Sequence, residues 1–413
     1  MDLAILMAYI TIYTGLFVFA LYLLSFIGKK PKMVKNWEPF VSIIIPAYNE
    51  EDCLRKTVES AVSLDYPREK FEILIINDGS KDKTEKIGKE LEKEFSNVRF
   101  FSKQNGGKGS ALNFGIKRAK GEIIISFDSD SFVRSDALKN MLPYFTDKNV
   151  MCVTPAMKVY KPRGILQRVQ AMEYDLGIFL RKVFSNMDSI HVTPGPFSAY
   201  RKVFFEKHGG YDEKNITEDM EIAMRIQSLN YKIKNSPNSV IYTIAPKNLF
   251  DATRQRKRWY YGMLFNLSKY KSVFGKKYGE LGMIVLPMAV FSILSVMVLT
   301  LYYTIRAFFD SINSLKLYSL IGFDFVSNFS FKWSYLIIEI YRIFSEGIIF
   351  FAIFFFIYTL GMLICIRSII HSEENVISIF ISYIFFISSY SLLFSFWWFI
   401  SIIYFIRGKS VKW

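Results

Sequence analysis

The chain has 413 residues, 51% hydrophobic and 17% aromatic, with a formal net charge of +15. That excess of Lys and Arg does not form the aromatic-interleaved stripe of a nucleic-acid binder; many of the charges flank apolar segments, where they fix orientation against anionic lipid, so no nucleic acid is expected as a partner. Cys53, Cys152 and Cys365 are too scattered for a zinc spacing or a disulfide framework, which leaves reduced, structural thiols.

Residues 1–28 open the chain with a run, Met1 to Ile27, that is almost uncharged after Asp2. It is long enough to cross a hydrocarbon core of ~30 Å at ~1.5 Å per residue. A cleaved signal peptide would want a basic start and a shorter apolar core. Here the positive charges follow instead, at Lys29, Lys30, Lys32 and Lys35, so the segment reads as an uncleaved anchor with its N-terminus outside and the following domain in the cytoplasm.

Residues 38–275 read as a mixed α/β domain. Val41 to Pro46 is a β-branched run suited to a buried parallel strand, and Asn49 to Asp52 supplies capping and acidic first-turn residues for a helix through Val62. Phe71 to Ile76 is a second strand, followed by Asn77-Asp78-Gly79-Ser80 and a charged helix from Lys81 to Phe95. Val98 to Ser102 is a third strand; Gly106-Gly107-Lys108-Gly109-Ser110 leads into a helix to Ala119, and Ile123 to Phe127 is a fourth strand that delivers Asp128-Ser129-Asp130. In open sheets of this kind ligands sit beyond the carboxyl ends of the strands, so these sequence-distant loops are expected to share one crevice.

Each loop has two readings. Two aspartates one residue apart usually belong to a solvated turn, but at a strand end Asp128 and Asp130 could hold Mg²⁺ or Mn²⁺ against a diphosphate. The glycine-rich segment lacks the Walker spacing and could be a flexible loop only, although Lys108 sits where a cation could meet a phosphate or a base edge. Asp78 either caps the next helix or accepts from a nucleotide ring N–H. Gly195-Pro196-Phe197-Ser198 is a rigid turn or part of an acceptor pocket. Thr217-Glu218-Asp219-Met220-Glu221 opens an amphipathic helix with Ile222, Ile226 and Leu229 facing inward; its acids serve as caps, or one is a base that activates an acceptor hydroxyl. Gln255, Arg258 and Trp259 form an interfacial helix face, or neutralise a departing diphosphate and offer an aromatic platform to a sugar; the two roles are compatible.

Interfacial helices are expected near 163–182, where Ile165, Leu166, Val169, Met172 and Leu176 lie between basic ends, and near 254–270. The C-terminal region 281–406 offers about three spans: Leu281 to Ile305, Gly347 to Ile366, and the longer stretch Val376 to Ile406. Lys271, Lys276, Lys277, Arg367 and the basic tail fit a cytoplasmic catalytic domain in a multi-pass protein of the cell membrane.

Taken in order, Pro46-Ala47-Tyr48-Asn49-Glu50, Asn77-Asp78-Gly79-Ser80, Asp128-Ser129-Asp130, Thr217-Glu218-Asp219 and Gln255-X-X-Arg258-Trp259 resemble the motif series of membrane-integrated family 2 glycosyltransferases, a family that includes hyaluronan, chitin, cellulose and poly-N-acetylglucosamine synthases. The resemblance covers residues 40 to 265 and implies a GT-A (Rossmann-like) domain with flanking transmembrane helices. It also implies a nucleotide-diphosphate sugar donor, UDP-linked and with UDP-N-acetylglucosamine as one candidate, and inversion by direct displacement. By similarity Ala47 and Asp78 contact the base, Glu50 and Lys108 build the same pocket, and Asp128 and Asp130 bind the diphosphate through a divalent cation. Asp219 is the general base, with Arg258 beside it in catalysis. Gln255, Arg258 and Trp259 bind the diphosphate and the acceptor end, with Gly195, Pro196 and Phe197 shaping the acceptor side.

The function so implied is metal-dependent transfer to a growing polysaccharide at the cytoplasmic membrane face. Addition of one sugar to a lipid-linked acceptor is its neighbour, and a non-catalytic membrane subunit of a synthase or transporter complex is the reading from another class. The small number of spans leaves room for an accessory membrane subunit or self-association.

Overall fold

A computed structural model describes residues 3–26, 37–320 and 390–408, with Ile337, Ile338, Ser382, Phe385 and Phe386. The expected span Gly347 to Ile366, Cys365, and most of Val376 to Tyr390 lie outside the described residues. The chain divides into two compact units, Met1–Leu21 with Val290–Ser368, and Tyr22–Ala289 with Ile369–Trp413.

The larger unit is built on one eight-stranded sheet. Its strands are β1 (Val41–Ala47), β2 (Phe71–Asn77), β3 (Val98–Ser102), β4 (Ile123–Ser126), β5 (Ser131–Val133), β6 (Val150–Val159), β7 (Ser198–Arg201) and β8 (Lys232–Thr243). They lie in the order β3-β2-β1-β4-β7-β6-β8-β5. The first four are mutually parallel, β7 runs antiparallel to β4 and β6, and β5 runs antiparallel to β8. Since β1 lies between β2 and β4, the chain reverses its direction of travel across the sheet there, and that switch opens a crevice above the carboxyl ends of β1, β2 and β4.

Unbroken apolar runs form these central strands because both faces are covered. Ile43, Ile45, Ile73, Ile75, Ile123 and Ile125 pack with Leu54, Val58 and Leu91 from α2 (Leu54–Val62) and α3 (Thr84–Glu94). Ile44, Leu74, Ile76 and Ile124 face the other way, onto Ala111, Leu112 and Ile116 of α4 (Lys108–Ile116). Each fully buried isoleucine contributes ~1.5–3 kcal/mol. At Gly115 the helix meets the strand so closely that a Cβ would lie 2.5 Å from Ile44 Cγ2.

After α5 (Ala137–Met141) come α6 (Gly164–Asn186), α7 (Lys202–His208), α8 (Glu218–Ser228) and α9 (Leu249–Lys269). Two expected details differ. Leu229 falls at the C-cap of α8, where the helical face has ended, and is 40% exposed, whereas Ile222 and Ile226 are buried as read. On α6, Val169 and Met172 are buried in protein instead of facing lipid, because that side of the helix packs on β6 and β8; Ile165 is exposed.

α1 (Leu3–Phe26) and the helix α10 (Leu286–Leu320), entered through a π-helical turn at Leu281–Val285, are the two described helices long and apolar enough to cross a membrane, over Tyr9–Phe26 and Leu281–Lys316. The C-terminal end of α1 meets α6: Phe26 stacks on Phe179 at 5.5 Å, Tyr22 meets Phe184 edge-on, and Asn186 Nδ2 donates to Ser25 O at 2.8 Å. A shorter apolar helix, α11 (Ser391–Ile406), packs along α9.

Candidate active site

Pro46 and Ala47 end β1, while Tyr48 to Glu50, Asp78, Asn105 to Lys108 and Asp128 to Asp130 belong to loops or first turns beyond the carboxyl ends of the parallel strands. Each of these segments contributes to the lining of one cavity of about 460 Å³, which is bounded by Ala47, Tyr48, Glu50, Asp78, Lys108, Asp128, Asp130 and Arg258. Seven of the residues singled out from sequence are therefore brought together.

Asp78 settles into a use that neither sequence reading anticipated. Its carboxylate accepts from Gly107 N at 2.7 Å, from Gly106 N at 3.1 Å and from Lys103 Nζ at 2.6 Å, and it does not cap α3. It thus folds the glycine-rich loop over its own strand end. Gly107 takes φ 87°, which a side-chain-bearing residue adopts only under strain, and this lets the chain turn into α4.

Lys108 begins α4 and reaches across the crevice to Asp128 Oδ1 at 2.7 Å and Glu218 Oε1 at 3.2 Å. Burial works against its charge, but the carboxylates of Asp128, Glu218 and Asp219 outweigh that and push its pKa up. Behind this pair lies Gly195, where a Cβ would stand 2.7 Å from Lys108 Nζ and 3.0 Å from Asp128 Oδ2. The Asp128 to Asp130 loop is tied down from below, by Thr57 Oγ1 donating to Ser129 O at 2.7 Å.

Carboxylates crowd the remaining side of the cavity. Burial first, and Asp130 second, raise Glu50 to about 7. Asp130 is itself raised, by burial and then by Asp128. No group of three or more His, Cys, Asp or Glu converges as a ready-made metal cage among the described residues. Two hard carboxylates with the rest left to water and phosphate oxygens is, however, the usual way Mg²⁺ is held, and uncompensated acid crowding is what a dication relieves. The donor set fits such an ion.

Asp219 does not line the cavity but stands against it, within the electrostatic reach of Lys108, Asp128 and Arg258. Burial and then Glu218 raise it to about 7, while Lys108 and Arg258 pull the other way. One of its own oxygens, Oδ1, accepts from Met220 N at 2.8 Å, and its carbonyl accepts from Thr193 Oγ1 at 2.6 Å.

The other residues named from sequence lie elsewhere. Phe197 is 0% exposed and meets Phe127 edge-on at 5.0 Å, so its side chain is core and not a sugar contact; the tight turn through Gly195 and Pro196 hides it. Trp259 is half-buried and packs beside Val159, Tyr174 and Ala245, outside the cavity lining. Gln255 Oε1 accepts from Arg256 Nη1 at 3.2 Å. Arg256, an unassigned position in the basic motif, is wholly buried: its guanidinium bonds Glu173 of α6 at 2.5 Å and Tyr390 at 3.1 Å, and lies 4.2 Å from the Trp259 ring. Only its place between Gln255 and Arg258 could have marked it. Glu218, the partner of Lys108, was visible only as the neighbour of Asp219, and Asn105 only as the residue before two glycines.

Residues 42–209 match the family model described as Glycosyl transferase family 2. Among curated proteins, a poly-beta-1,6-N-acetyl-D-glucosamine synthase of Staphylococcus epidermidis is 31% identical over 54% of this chain and 54% of its own length. A probable glycosyltransferase of Bacillus subtilis, YdaM, is 30% identical over 60% of this chain and 61% of its own. The chain thus spans little more than half the length of these relatives. Among solved structures, a mannosyltransferase from Pyrobaculum calidifontis in complex with GDP-Man and Mn²⁺ superposes with a TM-score of 0.59 over 90% of this chain and 99% of its own, at 18% identity, a likeness of fold.

Proposed function

Residues 42–209 form a glycosyl transferase family 2 domain on a GT-A-like mixed sheet, and from that premise we propose that the chain transfers a sugar from a nucleotide-diphosphate donor, with inversion, to a growing polysaccharide at the cytoplasmic face of a membrane. UDP-N-acetylglucosamine is the donor we favour, on the strength of the similarity to the poly-beta-1,6-N-acetyl-D-glucosamine synthase. One observation carries the reading: Lys108, Asp128, Asp130 and Arg258 converge on a single cavity with Asp219 beside it.

In this account Ala47, Tyr48 and Glu50 line the nucleoside end, and Asp78 holds the glycine-rich loop that closes it. Asp128 and Asp130 would hold Mg²⁺ or Mn²⁺, which when bound supplies positive charge to the donor diphosphate. Arg258 and Lys108 neutralise charge that builds on the departing nucleoside diphosphate. Asp219 takes the proton from the acceptor hydroxyl as that oxygen attacks the anomeric carbon, and the bond to the diphosphate oxygen breaks with its electron pair. A carboxylate raised to about 7 is well matched to that task near neutral pH. Trp259, packed on Arg256 midway along α9, orients the acceptor end. We further propose a multi-pass arrangement, anchored by α1 and α10, in which lipid meets these helices and an accessory subunit or second copy completes any export path.

The test is to supply membranes containing the full chain with labelled nucleotide sugars and to size the product. Chains of many added sugars support the polymerase reading. One added sugar on a product extractable into organic solvent would replace it with the lipid-acceptor reading, and no transfer from any donor would remove both in favour of a non-catalytic subunit.

A further inference from the structure

Arg258, Gly262 and Asn266 are spaced four apart on α9 and so form one stripe along the helix. That stripe faces the first turn of α8. Gly262 is pressed against Thr217, whose side chain a Cβ there would strike. One turn on, Asn266 is 0% exposed and fully engaged: its Nδ2 donates to Thr217 Oγ1 at 3.0 Å, and its Oδ1 accepts from Asn215 Nδ2 at 2.8 Å. Asn215 Oδ1 in turn accepts from Thr217 N at 3.0 Å and from Thr217 Oγ1 at 3.3 Å, closing a ring of three side chains around the residue that precedes α8.

Thr217 stands two residues before Asp219. From the far side, Tyr200 OH donates to Thr193 Oγ1 at 3.0 Å, and Thr193 holds the Asp219 carbonyl. The turn that carries the acid is therefore gripped from both sides, and one grip comes from the same helix that brings Arg258 into the cavity. None of these amides is needed to close α8 or α9 internally. Burying these three polar side chains is costly unless each is paired, and here they pair with one another between α9 and the turn that leads into α8.

We propose that Asn266, with Gly262 beneath it, is a positioning residue that sets Asp219 in register with Arg258, so that proton removal and leaving-group stabilisation are fixed by one helix. The inference rests on the sugar-transfer reading. It assigns Asn266 no contact with donor or acceptor.

The experiment is steady-state turnover of UDP-N-acetylglucosamine by the full-length protein carrying Asn266→Ala, Thr217→Val or both, with UDP affinity measured separately by calorimetry. A small displacement of the base relative to the acceptor lowers kcat by about 10- to 100-fold while donor KM and UDP affinity stay within about twofold. Because the two side chains belong to one closed ring of hydrogen bonds, the double variant loses no more than the worse single. Thr217→Val keeps the side-chain shape and removes only the hydroxyl, which accepts from Asn266 and donates to Asn215 Oδ1 at 3.3 Å, so it carries the test if Asn266→Ala fails to fold. Unchanged kcat, a parallel loss of UDP affinity, or multiplicative losses in the double variant would overturn the proposal while leaving sugar transfer intact. Absence of turnover in the unmodified protein would overturn both.

Discussion

At Asp219 two opposing influences meet: burial and Glu218 favour the protonated acid, and Lys108 and Arg258 favour the carboxylate. The balance near 7 fixes the sign of the pH dependence. Below that value the group is already protonated and cannot accept a proton, so kcat should fall about tenfold per pH unit on the acid side and level off above it. Asp219→Asn should cost about 10²- to 10⁴-fold in kcat with UDP affinity retained, as measured by turnover and calorimetry in parallel. At Gly195 the requirement is space. Gly195→Ala puts a methyl into the Lys108 and Asp128 pair, and UDP affinity should weaken by about tenfold or more because the methyl would force this largely enclosed charge pair apart. Residues at this scale were legible where chemistry demands a type at a strand end, as with Asp128 and Asp130. They were illegible where a side chain serves another loop: nothing local to Asp78 says that Gly106 and Gly107 N–H groups lie 28 and 29 residues away. Phe197 misled for the converse reason, since a turn motif does not reveal which of its side chains points inward.

Among the elements, β1, β2, β3 and β4 could be read from sequence because each is a short apolar or β-branched run ended by a turn residue, and both faces of the central strands are buried. β8, by contrast, contains Lys232, Lys234, Asn235, Ser236, Pro237 and Asn238, a composition that argues against a strand, and it is held in place by pairing with β6 through a register shift near Pro155. β5 and β7 are three and four residues long, too short for a periodic signal. Helix starts were read early: Lys81 to Lys83 form a turn before α3 begins at Thr84, and Asn49 takes φ 56° ahead of α2. The packing of α4 on β1 gives a direct check. Ile44→Ala should destabilise the domain by about 2–5 kcal/mol, read from denaturant unfolding of the full chain in detergent, because the cavity left behind α4 cannot collapse past Gly115.

For the whole molecule, the apolar flanks and the mixed centre were separable by composition alone, and two described helices have the length and hydropathy of membrane spans. The long-range contacts inside the larger unit were not readable. Arg256 joins α9 to Glu173 on α6 and to Tyr390 ahead of α11, a contact across 134 residues that no local pattern encodes. If α1 and α10 are membrane spans, the full chain should stay in the membrane pellet after alkaline carbonate extraction, whereas a protein held only by interfacial contacts would be released.

The central claim is that this crevice transfers a sugar and that Asp219 is the base. Membranes containing either the full chain or its Asp219→Asn variant, incubated with labelled UDP-N-acetylglucosamine and Mg²⁺ or Mn²⁺, test it most directly. Labelled polymer is expected from the first and a loss of about 10²-fold or more from the second. Equal incorporation by both, or none from the unmodified chain with any nucleotide sugar, would contradict it.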